Sequence, residues 1–247
     1  MSEQNIYDDP LFFQGYRQLR NREDSANNMI EKPALFSLCP DVQGKTVLDL
    51  GCGCGENCQR FKESGASRVI GIDISKNMLK VAMETCQGEG VEFYQMSMSD
   101  LSALQQSFDL IVSSLAVHYV ENFNQLLSDI YALLKKDGIF LFSQEHPLTT
   151  ALMNDHYWTR DENDLALHYN LSHYAVEGKR TNHWIVDGVI KYHRTMSSII
   201  NALIDAGFVI EKVLEPVLDE TMMEKFPNFR KSIHKPDFLL VKARKLD

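Results

Sequence analysis

Thr46-Val-Leu-Asp-Leu50 is a short apolar run that ends directly in Gly51-Cys-Gly-Cys-Gly55. A run of that length, closed by glycines, suits a strand buried on both faces of a parallel sheet. The glycines permit a sharp turn and the close approach of a ligand to the backbone. A helix from about Glu56 to Ser64 follows, and its free N-terminal amides favour a polar or anionic group. This segment therefore asks for strand, loop and helix in that order, with the loop at the carboxyl end of the strand. An ordinary glycine-rich turn without a ligand stays open on these residues alone.

The same rhythm continues along the chain. Strands are predicted at Arg68 to Asp73, Val91 to Gln95, Phe108 to Ser113 and Ile139 to Ser143. Between them Ser75 can cap a helix running to about Cys86, with Met78, Leu79 and Ala82 inward, and a second helix runs from Asn124 to Leu134 and stops near Gly138. Strands alternating with helices predict an α/β fold, a Rossmann-like sandwich whose mostly parallel sheet carries helices on both faces. Each crossover is expected to be right-handed. Near the end, Thr195 to Ala206 reads as a helix, and Phe208 to Leu214 and Phe238 to Ala243 as strands. Their close spacing, with no clear helix between, predicts an antiparallel pair at one sheet edge. Residues 1–43 read as a helical cap, with helices opening near Pro10 and Pro33, and residues 44–247 as the main domain. Residues 147–192 break the rhythm. They are polar, hold both tryptophans (Trp158 and Trp184), and read as an insertion over the active site.

Composition narrows the partners. The 247 residues, 44% hydrophobic and 24% charged, can bury a full core. No apolar run reaches the roughly 18 residues that a membrane span needs, and the acidic, polar start lacks a secretory pattern, so a cytoplasmic protein without a membrane partner is expected. A net charge of -9 without a Lys/Arg cluster argues against nucleic acid and for a small-molecule partner. The five cysteines offer no second C-x-x-C pair beside Cys52, Cys54 and Cys58, so no metal is expected and free thiols in a reducing compartment are. Oligomeric state is not legible.

The glycine spacing is G-x-G-x-G, whereas dinucleotide sites use G-x-G-x-x-G, and Glu56 stands where the last glycine would be. Asp73 ends the second strand, 22 positions after Gly51. Neighbouring strands bring such a carboxylate beside the glycine loop, where it can accept hydrogen bonds from ribose hydroxyls. Its other reading is a carboxylate at a helix start.

Asp49 to Gly55, with Asp73-Ile74-Ser75 and Met78, resembles the class I S-adenosylmethionine-dependent methyltransferases. The resemblance runs on through Phe93 to Leu101 and Phe108 to Tyr119 and covers roughly residues 45–146. The rest of the chain is looser, like bacterial small-molecule methyltransferases of unassigned substrate. The resemblance implies S-adenosylmethionine as cofactor and a small-molecule methyl acceptor. It implies that Asp49 with Gly51, Cys52, Gly53 and Gly55 holds the methionine part, and that Asp73 takes the ribose. Ile74 and Met78 would pack on adenine, with Met98 and Ser99 on its other side, Leu115 under the methionine chain, and Tyr16 joining from the N-terminal segment. Many relatives are acidic where this chain has Ser97 or Ser99. For Ile74, Met78 and Leu115 core packing is the other reading.

The methyl group sits on a sulfonium and is already activated, so in-line positioning supplies much of the catalysis. No nucleophile elbow or serine triad is needed, and none is present. An oxygen or nitrogen acceptor can still need a base. His118 follows the fourth strand, and Glu145 and His146 the fifth, at the sheet edge where ligands bind. Each also has a structural reading, as a satisfied histidine or a loop anchor. Two further functions stay in view, a non-catalytic S-adenosylmethionine-binding protein and a nicotinamide-dependent oxidoreductase.

Overall fold

The computed structural model describes residues 4–20, 22–86, 88–153 and 156–246. A tight helical turn at Ile6–Asp8 leads into α1 (Pro10–Arg20). The Asp9 carboxylate opens α1 by accepting from Phe12 N–H at 2.9 Å, while Pro10 stands where a missing N–H costs nothing. A wide turn at Asn27–Glu31 runs straight into α2 (Lys32–Leu38). The alternating part follows as β1 (Thr46–Leu50), α3 (Glu56–Glu63), β2 (Arg68–Asp73), α4 (Lys76–Thr85), β3 (Val91–Gln95), β4 (Phe108–Ser114), α5 (Phe123–Leu133) and β5 (Leu134–Glu145). Ser75 caps α4 by accepting from Met78 N–H at 3.1 Å. The helix expected from Asn124 to Leu134 spans Phe123–Leu133, but Gly138 is not what stops it. The left-handed residue there is Asp137 (φ 60°), and Gly138 lies inside β5.

The insertion holds more structure than its sequence suggested. It comprises α6 (Pro147–Thr150) and two hairpins, β6 (Trp158–Arg160) with β7 (Ala166–Tyr169) and β8 (Gly178–Trp184) with β9 (Val186–His193). Along β9 burial alternates strictly, but the buried positions are Val189, Lys191 and His193. Two of the three are polar, so hydrophobicity hides the period. The chain closes with α7 (Met196–Asp205), β10 (Val209–Leu214), α8 (Glu220–Lys225) and β11 (Phe238–Arg244). Helix α8 was not foreseen; Asp219 caps it from Met222 N–H at 2.8 Å.

Seven strands form one sheet in the order β10-β11-β5-β4-β1-β2-β3. The five from β3 to β5 are parallel, and β11 is antiparallel to both β5 and β10. The expected antiparallel pair therefore sits at the edge, and its outermost member points the same way as β5. Alternation along each strand feeds two cores. Leu48, Leu50, Phe140 and Phe142 pack under Phe123, Leu127 and Leu203 of α5 and α7. Val47, Leu110, Val112 and Leu141 pack under Leu35, Phe61 and Leu79 of α2, α3 and α4. Helices thus cover both faces, as the near-continuous apolar strands require. Among the described residues, no helix is long and apolar enough to cross a membrane.

The N-terminal segment is stitched across the sheet's carboxyl edge. Asp8 accepts from Ser75 Oγ–H at 2.7 Å and from Asn77 N–H at 3.1 Å. Gln4 donates to Gly188 O and accepts from Ile190 N–H, both at 2.8 Å. It joins the β8–β9 hairpin to the body.

Candidate functional site

At the end of β1 the chain turns through Gly51 (φ 71°), Gly53 (φ 54°) and Gly55 (φ 79°), all left-handed. The loop is tied to β2: Gly51 and Cys52 N–H donate to Ile72 O at 2.8 and 2.9 Å. Gly53 N–H donates to Asp73 Oδ2 at 2.9 Å, and the other Asp73 oxygen accepts from Ser75 N–H at 2.8 Å. Asp73 therefore braces the loop, while the capping of α4 falls to Ser75. Burial pushes the Asp73 carboxyl above its ordinary range, against the pull of these N–H donors. A side chain at Gly51 would strike the Ala116 methyl at 2.5 Å, whereas at Gly53 it would meet nothing within 4 Å. The empty side of Gly53 faces open space.

Three cavities converge on this loop. The first, about 730 Å³ with its mouth, runs past Asp73, Ile74, Met78, Met98 and Tyr7. The second, about 910 Å³, lies over Gly51 to Cys54 and is walled by Arg17, Arg20 and Glu56. The third, about 610 Å³, lies between His118, Glu145, Tyr119, Trp184 and Phe238. Tyr16 and Leu115 stand on the walls of all three. Leu115 is held in a left-handed conformation (φ 53°), and its N–H reaches the carbonyl and hydroxyl oxygens of Ser143, each at 3.0 Å. A bulky residue holds φ > 0 only where its surroundings enforce it.

The sequence-expected residues sort clearly. Tyr16, Gly51, Gly53, Asp73, Ile74, Met78, Met98 and Leu115 line the first cavity, and Cys52 the second. Asp49 lies fully buried beneath the loop. Its Oδ2 accepts from the Cys58 thiol at 3.4 Å and its Oδ1 has no partner. Burial pushes this carboxyl up to about 7. Gly55 is absent from the walls. A side chain there would meet Cys86 Sγ at 2.7 Å and Phe93 at 2.9 Å, so this glycine lets α3 pack closely. Ser99 is off the walls too; its N–H donates to Ser97 Oγ at 2.9 Å, and Ser97 stands on the wall of the first cavity.

Of the three candidate bases, His118 and Glu145 share the third cavity. His118 is buried, its Nδ1 lacks a partner, and burial pushes its pKa down to about 4. Glu145 accepts from Lys191 Nζ at 2.5 Å. Burial works against its charge, but Lys191 and His118 outweigh that and hold the carboxyl below its ordinary range. His146 is a correction: it stands off the cavity walls and both ring nitrogens are engaged. Nδ1 accepts from Leu148 N–H at 3.1 Å, capping α6, and Nε2 faces Glu215 Oε1 at 2.6 Å. Its structural reading prevails. Glu56 does not present a bare charge either, since Lys32 bonds to it and Arg20 lies 3.7 Å away.

Sequence reasoning missed Gln4, Tyr7, Arg20 and Glu31. They lie in a segment whose polar, aperiodic pattern carries no site signal; Gln4, Tyr7 and Arg20 reach the cavity walls, and Glu31 the back of Ser114, only because the cap folds over the sheet edge.

Residues 48–142 match the family model described as a methyltransferase domain. An uncharacterised Haemophilus influenzae protein is 41% identical over 249 residues, spanning 98% of both chains. An S-adenosylmethionine-dependent methyltransferase from Mesorhizobium loti superposes with a TM-score of 0.82 at 37% identity, over 90% of this chain and 99% of that one. The chain belongs to the S-adenosylmethionine-dependent methyltransferases. A Listeria monocytogenes structure provisionally given the same description superposes with a TM-score of 0.81 at 36% identity, over 87% of this chain and 96% of that one. The methyltransferase uses S-adenosylmethionine as its cofactor, and the nicotinamide reading falls away. The residues present suit that cofactor: a carboxylate at the end of β2, a loop open at Gly53, and an unpartnered carboxylate oxygen beneath it.

Proposed function

We propose that this methyltransferase methylates a small molecule held in the third cavity. The observation that carries the reading is that three cavities meet at Tyr16 and Leu115. In this reading the first holds adenosine, the second the methionine chain and the third the acceptor, so the methyl group faces the acceptor at their junction.

Asp73 takes the ribose hydroxyls on the lone pairs that Gly53 and Ser75 leave free, in charge-assisted hydrogen bonds. Ile74, Met78 and Met98 clamp adenine, and Ser97 takes the place expected of Ser99. Asp49, Gly51, Cys52 and Gly53 receive the methionine part, with Leu115 beneath it. S-adenosylmethionine supplies a methyl group already activated on sulfur, so the chain must position the acceptor, exclude water and receive a proton. Tyr7, Tyr119 and Trp184 enclose the junction, with Tyr7 Oη 3.3 Å from Tyr119 Oη. His118 stays neutral at physiological pH and can accept a hydrogen bond or proton from an acceptor O–H or N–H. Glu145 is pinned by Lys191 and orients the acceptor.

The third cavity, about 610 Å³ with its mouth, suits a small acceptor, and the net charge of -9 disfavours nucleic acid. In this reading residues 1–43 and the β8–β9 hairpin form the cover. Five free thiols fit a reducing compartment, the cytoplasm. The test is a screen of cell metabolites with methyl-labelled cofactor. A labelled small product with release of S-adenosylhomocysteine is expected; label entering only protein or nucleic acid would overturn the reading.

A further inference from the structure

Two charged side chains of the N-terminal segment have no part in the scheme above. Arg20 is the last residue of α1 and Glu31 the last of the wide turn before α2. Glu31 is completely buried. Its Oε1 accepts from Ser114 Oγ–H at 2.9 Å and from the Ser143 hydroxyl, while Oε2 has no partner. A buried carboxylate oxygen without a donor is costly, so this one calls for a donor absent from the chain itself. Ser114, to which Glu31 is bonded, stands on the walls of the first and second cavities beside the glycine loop.

Arg20 walls the second and third cavities. Among the described residues, its carboxylate neighbour in ion-pair range is Glu56 at 3.7 Å, beyond hydrogen-bond distance, and Glu56 is already bonded to Lys32. The guanidinium has five N–H donors in a fixed fork that matches a carboxylate. Asp49, buried beneath the loop, also keeps one oxygen unpartnered and feels the charge of Glu31. Two like charges close together, each with a free oxygen, are relieved by one cation between them.

We infer that Arg20 and Glu31 clamp the amino-acid end of the cofactor, the guanidinium taking the α-carboxylate and the free Glu31 oxygen the α-ammonium. This rests on the methionine chain occupying the second cavity. An α-amino acid carries both charges on neighbouring carbons, and the cap offers one partner of each sign, Arg20 on the wall of the second cavity and Glu31 buried behind its wall residue Ser114. The clamp then selects adenosyl compounds that keep the amino-acid end.

The test is calorimetric titration of full-length wild type, Arg20→Met and Glu31→Gln with S-adenosylhomocysteine and with 5′-methylthioadenosine, which lacks the amino-acid end. Glutamine keeps an oxygen for the two serine hydroxyls, and melting curves check that each variant is folded. Both variants should bind S-adenosylhomocysteine at least tenfold more weakly and 5′-methylthioadenosine within twofold of wild type. Wild-type affinity for S-adenosylhomocysteine in both variants would overturn the clamp and leave the cofactor site standing. Equal losses for both ligands would also overturn it, because the residues would then only support the fold. A wild type that binds 5′-methylthioadenosine as tightly as S-adenosylhomocysteine would remove the methionine chain from the second cavity, and the clamp with it.

Discussion

Single residues decide how the loop treats a ligand, and Gly51 and Gly53 separate two jobs. Both need a left-handed backbone, which costs an L residue roughly 1–2 kcal/mol. Only Gly51 is also blocked, by the Ala116 methyl. Gly53→Ala should therefore lose about 1 kcal/mol of stability while its methyl fills the space meant for cofactor. Chemical denaturation and calorimetry should show a small stability loss and at least a tenfold loss of S-adenosylhomocysteine affinity. Unchanged affinity would mean that the cofactor does not approach over Gly53. Gly51→Ala should destabilise by a further 1–3 kcal/mol or so through overpacking. His118 makes a pH-dependent prediction. Burial lowers its pKa from 6.5 to about 4, so the folded state resists protonation that the unfolded chain accepts. Its contribution is complete above pH 6.5 and is lost as pH falls towards 4. At about 1.4 kcal/mol per pH unit that is roughly 3 kcal/mol. Wild type should lose stability relative to His118→Asn across that window. A difference that stays flat would show that His118 is solvated.

Among the elements, the two hairpins of the insertion differ in what they reach. Trp184 of β8 packs on Phe12 and Tyr16 at ring-centroid distances of 5.3 and 5.9 Å, and Lys191 of β9 lies 4.9 Å from its ring while pairing with Glu145. Trp158 of β6 instead packs on Tyr169 and His234, away from the cavities. Trp184→Ala should lower kcat/KM for the acceptor tenfold or more, about 1.4 kcal/mol, and Trp158→Ala should leave it within twofold. Equal effects would make the insertion a structural cover without a role in the acceptor site. The composition of residues 147–192 could not tell these tryptophans apart, because hairpin pairing, not sequence distance, carries one to the pocket. The parallel strands were legible for the opposite reason. Burial on both faces demands runs such as Phe108 to Val112, and those runs are visible directly.

For the molecule as a whole, cofactor binding should couple to stability. A ligand that binds only the folded state adds about 2.7 kcal/mol at a hundredfold excess over its Kd. For a chain of this size that is a rise in Tm of roughly 5–10 °C. S-adenosylhomocysteine should give such a shift in a melting experiment and NAD none. A shift with NAD alone would contradict the proposed site. The sequence by itself determined the sheet, the glycine loop and Asp73. Each depends on neighbours in the chain: an apolar run, glycines at fixed spacing, and a carboxylate one strand later. Only the tertiary structure decided which base candidates reach the pocket. It placed His118 and Glu145 on one wall and engaged both nitrogens of His146 elsewhere. It alone brought Arg20 from a polar, aperiodic segment onto the walls of the second and third cavities, and Glu31 onto Ser114 and Ser143. Those contacts cross from the N-terminal segment to β4 and β5, and a local pattern carries no signal of a partner 83 or 112 positions away.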